Sequence, residues 1–183
     1  MLKEGDLFDF LKSRAGKLDG VVVSGGEPTI QADLPEFLAK IKKLDFKIKL
    51  DTNGTNPVML KKIVAKQLVD YIAMDIKAPA AGYEKVTGAK SQFPKIAESI
   101  RIIRESGLPY EFRSTIVPGL HTAEDIRKMG EMIKEADKWF LQVLKTDTDL
   151  VNTNLEKVEP YTRKEMDEFK KIGLKFVKEC GVR

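Results

Sequence analysis

Apolar and polar positions along this chain follow two alternating periods, and that alternation predicts an α/β protein. Short apolar runs of β type recur: Val21–Val23 before Ser24-Gly25-Gly26, Lys47–Asp51 before Thr52-Asn53-Gly54, Tyr71–Asp75, Tyr110–Val117 before Pro118-Gly119, and Trp139–Val143. Each run stops at glycine, proline, asparagine or a charged residue, as strand ends do. Helical stripes fill the gaps. Leu34, Phe37, Leu38, Ile41 and Leu44 share one helix face, and Phe93, Ile96, Ala97, Ile100 and Ile103 repeat the spacing. Ile126, Met129 and Ile133 mark a third stripe, and Met166, Phe169, Ile172 and Phe176 a C-terminal one. A stripe of this kind means one buried face per helix. Thr122 with Asp125, and Thr162 with Glu165, carry the Ser/Thr-x-x-acid signal of a helix start. Leu7, Phe10 and Leu11 predict a helix ahead of the first strand.

Five strands alternating with helices imply a parallel sheet with helical crossovers. The chemistry of such folds gathers beyond the carboxyl ends of the strands. The chain opens on a helix, as a barrel would whose first strand is absent. At 183 residues, with no internal repeat or linker, it is expected to be one domain spanning 1–183.

Composition narrows the class. Hydrophobic residues at 42% and charged residues at 33% exclude a disordered or membrane-spanning chain. No apolar run approaches the roughly 20 residues that span a bilayer. The opening Met1–Asp6 lacks the apolar core of a secretory signal, so a cytoplasmic location is expected. Thirty-two basic against 28 acidic residues leave +4, interspersed along the chain, so no nucleic-acid partner is expected. One cysteine, Cys180, cannot form an internal disulfide or hold an iron–sulfur cluster. It is expected on the terminal helix as a buried or fraying thiol. The single histidine, His121, follows Pro118-Gly119-Leu120, and its spacing predicts a loop position rather than a catalytic one.

Candidate chemistry stands at the strand ends. Gly25 and Gly26 let the backbone approach a ligand, and Pro28 holds Glu27 extended. Asp51 and Thr52 offer a carboxylate and a hydroxyl; an Asn-Gly turn with solvent-facing polar groups accounts for them equally well. Asp75 and Lys77 are two apart and point to one face, where a pair of charges is either used or closes the strand end as an ion pair. Tyr110, Phe112, Ser114 and Ile116 share one strand face, and Glu111, Arg113 and Thr115 the other. Arg113 is a candidate anion binder, with pairing to Glu111 or Asp75 as the alternative. Trp139 and the methionines belong to the core.

Taken together, these strings resemble the radical S-adenosylmethionine enzymes. Gly25-Gly26-Glu27-Pro28 matches the motif that holds the methionine amino group of the cofactor. Asp51-Thr52-Asn53-Gly54, Asp75-Ile76-Lys77 and Arg113 through Pro118-Gly119 resemble, in order, the glycyl-radical enzyme activating proteins of anaerobic ribonucleoside-triphosphate reductase and pyruvate formate-lyase. The resemblance runs from about Leu7 to the C-terminus. It implies a partial TIM-like (β/α) barrel of parallel strands that binds S-adenosylmethionine. Gly25, Gly26 and Glu27 would lie at its ammonium, Asp51, Thr52, Asp75 and Lys77 around it, and Arg113 at its carboxylate. It further implies a [4Fe–4S] cluster, an electron donor such as flavodoxin or ferredoxin, and a 5′-deoxyadenosyl radical that abstracts hydrogen from a glycine of a partner enzyme.

The departure from that family lies in the cysteines. The family holds its cluster on a C-x3-C-x2-C loop after the first strand, and this chain has Cys180 alone. It is therefore expected to be an N-terminally truncated piece that lacks that strand and loop. Alone, it is expected to bind the cofactor poorly and cleave none of it. The exposed edge of Val21–Val23 is expected to promote self-association. Two other readings stay open: an α/β-barrel lyase or aldolase using Lys77 as an imine-forming amine, and a non-catalytic binding module.

Overall fold

The computed structural model describes residues 3–88, 92–145 and 157–183. Among them, helix α1 (Glu4–Ser13) precedes strand β1 (Gly20–Val23). Then follow α2 (Leu34–Lys42), β2 (Lys47–Thr52), α3 (Pro57–Ala65), β3 (Tyr71–Asp75), α4 (Tyr83–Thr87), α5 (Phe93–Glu105) and β4 (Tyr110–Ile116). The chain continues through α6 (Ala123–Met132), β5 (Lys138–Val143), α7 (Arg163–Gly173) and β6 (Glu179–Val182). The six strands form one sheet in sequence order, and every neighbouring pair is parallel. Each strand therefore returns to the same end of the sheet, as in a partial (β/α) barrel. Among the described residues, no helix is long and apolar enough to cross a membrane.

Register divides the sheet into two faces. Ile48 and Leu50 of β2, Ile72 and Met74 of β3, and Phe112 of β4 are fully buried against the helix stripes. Leu38 and Ile41 of α2, Ile96 and Ile103 of α5, and Ile126 and Met129 of α6 meet them there. Trp139 and Leu141 of β5 continue this face, and the Trp139 indole N–H donates to Ser114 Oγ at 2.9 Å. The other face carries Lys49, Asp51, Tyr71, Asp75, Glu111, Arg113 and Thr115. The alternation expected for β4 is present, with the apolar side facing the helices.

Two capping boxes fix helix starts as expected. The Thr122 hydroxyl accepts from the Asp125 amide while the Asp125 carboxylate accepts from the Thr122 amide; Thr162 and Glu165 repeat this at α7.

The C-terminal segment corrects the sequence reading. Cys180 lies on a sixth strand, not on the terminal helix: α7 ends at Gly173 and β6 pairs with β5, with Trp139 opposite Cys180. Cys180 is buried, and burial pushes its thiol up to about 11, so it is a protonated core group. His121 is also buried, at 2% exposure, in the segment between β4 and α6.

Candidate functional site

Gly25 and Gly26 follow β1 at the carboxyl end of the sheet, with φ of 99° and 43°. Both values favour glycine. Apart from the adjoining residues, no heavy atom among the described residues lies within 4 Å of where a Cβ would project from either glycine. Backbone N–H and C=O groups are thus presented on an exposed turn.

Glu27 is the brace of that turn. Its Oε1 accepts from the Thr29 amide (3.1 Å), the Thr29 hydroxyl (2.5 Å) and the Thr52 hydroxyl (2.7 Å); Oε2 accepts from the Asn53 amide (2.6 Å). Glu27 is 9% exposed as a residue, and its carboxylate binds the turn after β1 to the end of β2. Proline at position 28 starts a short 3₁₀ turn over Pro28–Ile30, for which Glu27 is the cap. Asn56 caps α3 through Met59 and reaches back to the Thr29 carbonyl at 2.6 Å. The Ser99 hydroxyl of α5 donates to the Gly54 carbonyl at 2.8 Å. Gly54 has φ of 76°, and a side chain there would overlap Met74.

A chain of alternating charges crosses the helix-free face of the sheet. Arg113 NH1 donates to Asp51 Oδ2 at 2.9 Å, and Arg113 Nε donates to Asp75 Oδ1 at 3.1 Å. Burial opposes the guanidinium charge, but the two carboxylates outweigh it and hold the Arg113 pKa above its ordinary value. Deeper in the sheet, Glu111 accepts from Lys49 Nζ at 3.1 Å and from both Arg183 NH groups at 3.2 and 3.3 Å. The Tyr71 hydroxyl donates to Glu111 at 3.3 Å, and burial together with that carboxylate pushes Tyr71 up to about 12. Lys49 joins the two groups, 3.8 Å from Asp51 Oδ1. That oxygen is buried and accepts no hydrogen bond among the described residues.

The structure brings Glu27, Thr29, Thr52 and Asn53 together in one hydrogen-bonded unit, with Gly25 and Gly26 directly before it in the chain, and ties Asp51, Asp75 and Arg113 into another. Asp75 pairs with Arg113 rather than with Lys77, and Glu111 turns to Lys49 and Arg183. Lys77 stands beyond β3 with an exposed side chain. Its carbonyl lies 2.9 Å from His121 Nε2. An imine-forming lysine is ordinarily desolvated, and this one is not. The spacing of Ser24–Thr29 gave no sign that the Glu27 side chain would face Thr52 and Asn53. The Asn53 amide was hidden inside an apparent Asn-Gly turn.

Parallel strands in sequence order, with polar groups collected beyond their carboxyl ends, define a (β/α)-barrel enzyme scaffold. The chain matches the Radical SAM superfamily over residues 5–136 and belongs to it. A Methanocaldococcus jannaschii protein, provisionally named a glycyl-radical enzyme activating enzyme, is 29% identical over 170 residues, covering 90% of this chain and 70% of its own length. A second protein of that organism with the same provisional name is 28% identical; the chain spans 62% of its length, and 88% of this chain is matched. A crystallised domain of pyruvate-formate lyase-activating enzyme from Bacteroides vulgatus shares the fold with a TM-score of 0.69 at 15% identity, covering 91% of this chain and 99% of that domain.

The superfamily in general uses S-adenosylmethionine and a [4Fe–4S] cluster. The donor set here fits the first of these: an open glycine backbone and a buried Asp51 oxygen without a donor suit an ammonium-bearing ligand. It does not fit the second. One cysteine in 183 residues, buried on β6 as a neutral thiol, cannot supply the thiolates of a cluster.

Proposed function

We propose that residues 1–183 form one radical S-adenosylmethionine core domain whose glycine turn binds S-adenosylmethionine, in the service of a glycyl-radical activating reaction. The observation that carries this reading is the turn itself: two exposed glycines of positive φ at a strand end, held to the next strand by a buried glutamate. Backbone carbonyls of Gly25 and Gly26 are the acceptors for the ligand ammonium, since the Glu27 carboxylate is occupied by Thr29, Thr52 and Asn53. Asp51 offers its donor-free Oδ1. Arg113 keeps Asp51 and Asp75 in place and retains N–H groups for a carboxylate. Lys77 reaches from the rim without a competing ion pair among the described residues.

When bound and supplied with an electron, S-adenosylmethionine contributes a 5′-deoxyadenosyl radical. The protein's part is to orient the ligand and shield it. On this reading the partner is a glycyl-radical enzyme, the electron donor a flavodoxin- or ferredoxin-type protein, and the setting cytoplasmic. The relatives' provisional names support the glycyl-radical partner.

The test is a titration of S-adenosylmethionine into ¹⁵N-labelled protein, followed by amide NMR. Shifts are expected at Gly25, Gly26 and Asn53 and are expected to be lost in Gly26→Val, which strains a positive-φ position outside the core. Shifts confined to other regions would overturn the assignment. The protein alone, incubated with S-adenosylmethionine, iron, sulfide and dithionite, is expected to yield no 5′-deoxyadenosine or methionine; their formation would overturn the conclusion that these residues cannot hold the cluster.

A further inference from the structure

The β3–β4 ladder closes at Asp75 opposite Arg113, yet the backbone beyond it remains tied to β4 residue by residue. The Ile76 amide donates to the Arg113 carbonyl at 2.7 Å. The Ser114 hydroxyl donates to the Ile76 carbonyl at 2.7 Å. The next carbonyl, that of Lys77, meets His121 Nε2 at 2.9 Å. His121 Nδ1 accepts from the Val117 amide at 3.0 Å, which leaves the ring proton on Nε2 as the donor to Lys77. The His121 carbonyl in turn accepts from the Tyr161 hydroxyl at 2.6 Å, which anchors this segment to the entry of α7.

We infer that His121 is a positioning residue for Lys77: its imidazole bridges the Val117 amide and the Lys77 carbonyl and so fixes where the Lys77 side chain leaves the rim of the site. The Lys77 ammonium is exposed and has no carboxylate within ion-pair distance among the described residues. Its placement therefore depends on its backbone. A buried histidine that is singly protonated and satisfied on both nitrogens makes a rigid two-sided link, which neither a serine nor a water-exposed residue would provide. The consequence for ligand binding rests on the reading of Lys77 given above; the link itself does not.

Two substitutions separate the bonds. His121→Gln keeps a donor at the ε position for the Lys77 carbonyl. His121→Asn keeps an acceptor at the δ position for the Val117 amide but falls short of Lys77. In hydrogen-exchange mass spectrometry, residues 76–79 are expected to exchange about tenfold faster in His121→Asn than in His121→Gln. Equal exchange in the two variants would overturn the inference. For S-adenosylmethionine binding by NMR titration, His121→Asn is expected to weaken affinity roughly fivefold relative to His121→Gln, and this difference is expected to vanish in a Lys77→Ala background. A difference that persists undiminished there would show a general structural role and overturn the positioning role. If Lys77→Ala alone leaves binding unchanged, the ligand role of Lys77 fails and the exchange comparison still decides the inference. In the unmodified protein, ¹⁵N imidazole shifts are expected to report the Nε2–H tautomer; the Nδ1–H tautomer would overturn the link without recourse to any variant.

Discussion

At the scale of single residues, the most consequential side chain is one whose charge faces inward. Glu27 accepts four hydrogen bonds, and the four donors come from three residues, Thr29, Thr52 and Asn53. Glu27→Gln preserves shape but turns an N–H₂ group toward buried donors. Unfolding in urea is expected to show a loss of about 1–3 kcal/mol with unchanged m-value; an unchanged midpoint would mean the brace is not structural. Glu111 carries a pH dependence. Burial raises its pKa, but Lys49 and Arg183 outweigh burial and the net displacement is downward. A carboxyl whose folded pKa is lowered adds stability above its unfolded pKa and loses it as pH falls through the folded one. The unmodified protein is therefore expected to lose stability more steeply than Glu111→Gln as pH falls below about 4.5. Parallel acid titrations of the two would refute this. The sequence marked Glu111 and Arg113 as sharing a face. It left their partners open, because pairing depends on which strand lies two places away, and Asp51 and Arg183 are distant along the chain.

At the scale of elements, periodicity was a sound guide wherever an element had a long apolar face. The stripes of α2, α5, α6 and α7 are present, except that Ala97 of α5 is exposed, and all five expected strands are present. What escaped was short or masked. β6 spans four residues, Glu179–Val182, and includes Gly181, where a side chain would run into the Phe140 ring. Its composition shows no alternation. Phe176 continues the α7 stripe on paper although the helix ends at Gly173, because it packs on Gly130 from the turn that follows. α3 begins at Pro57 behind the Asn56 cap, a start signal that the Asn-Gly turn nearby obscured. Helix starts of the Thr-x-x-acid kind were fully legible because all their bonds are local. Thr162→Ala removes the hydroxyl cap of α7, the helix that packs beside β5 and β6. A loss of about 1 kcal/mol in chemical denaturation is expected, and an unaltered stability would mean that the Glu165 half of the box suffices.

At the scale of the whole molecule, the sheet's two ends differ in how they meet solvent. β6 carries Glu179, within 4.0 Å of Lys138, and is followed by Arg183, whose guanidinium lies over the Phe140 ring and on Glu111. Charges of this kind discourage pairing with a second sheet. β1 has no such guard. Its strand is glycine and three valines, it pairs only with β2 among the described residues, and Val22 is 58% exposed on the helix-free face. An uncharged apolar edge with open N–H and C=O groups is a template for another strand. The protein is therefore expected to self-associate as its concentration rises, with light scattering showing a mass that climbs toward the dimer. Val22→Lys places a charge on that edge without disturbing Val21 and Val23, which face the core. It is expected to restore the monomer mass and leave the unfolding free energy in urea within about 0.5 kcal/mol. A monomer at every concentration in the unmodified protein would contradict the edge argument. Association that survives Val22→Lys would move the contact elsewhere, and the exposed pair Ile30 and Val58, beside the glycine turn, is the surface to which it would point.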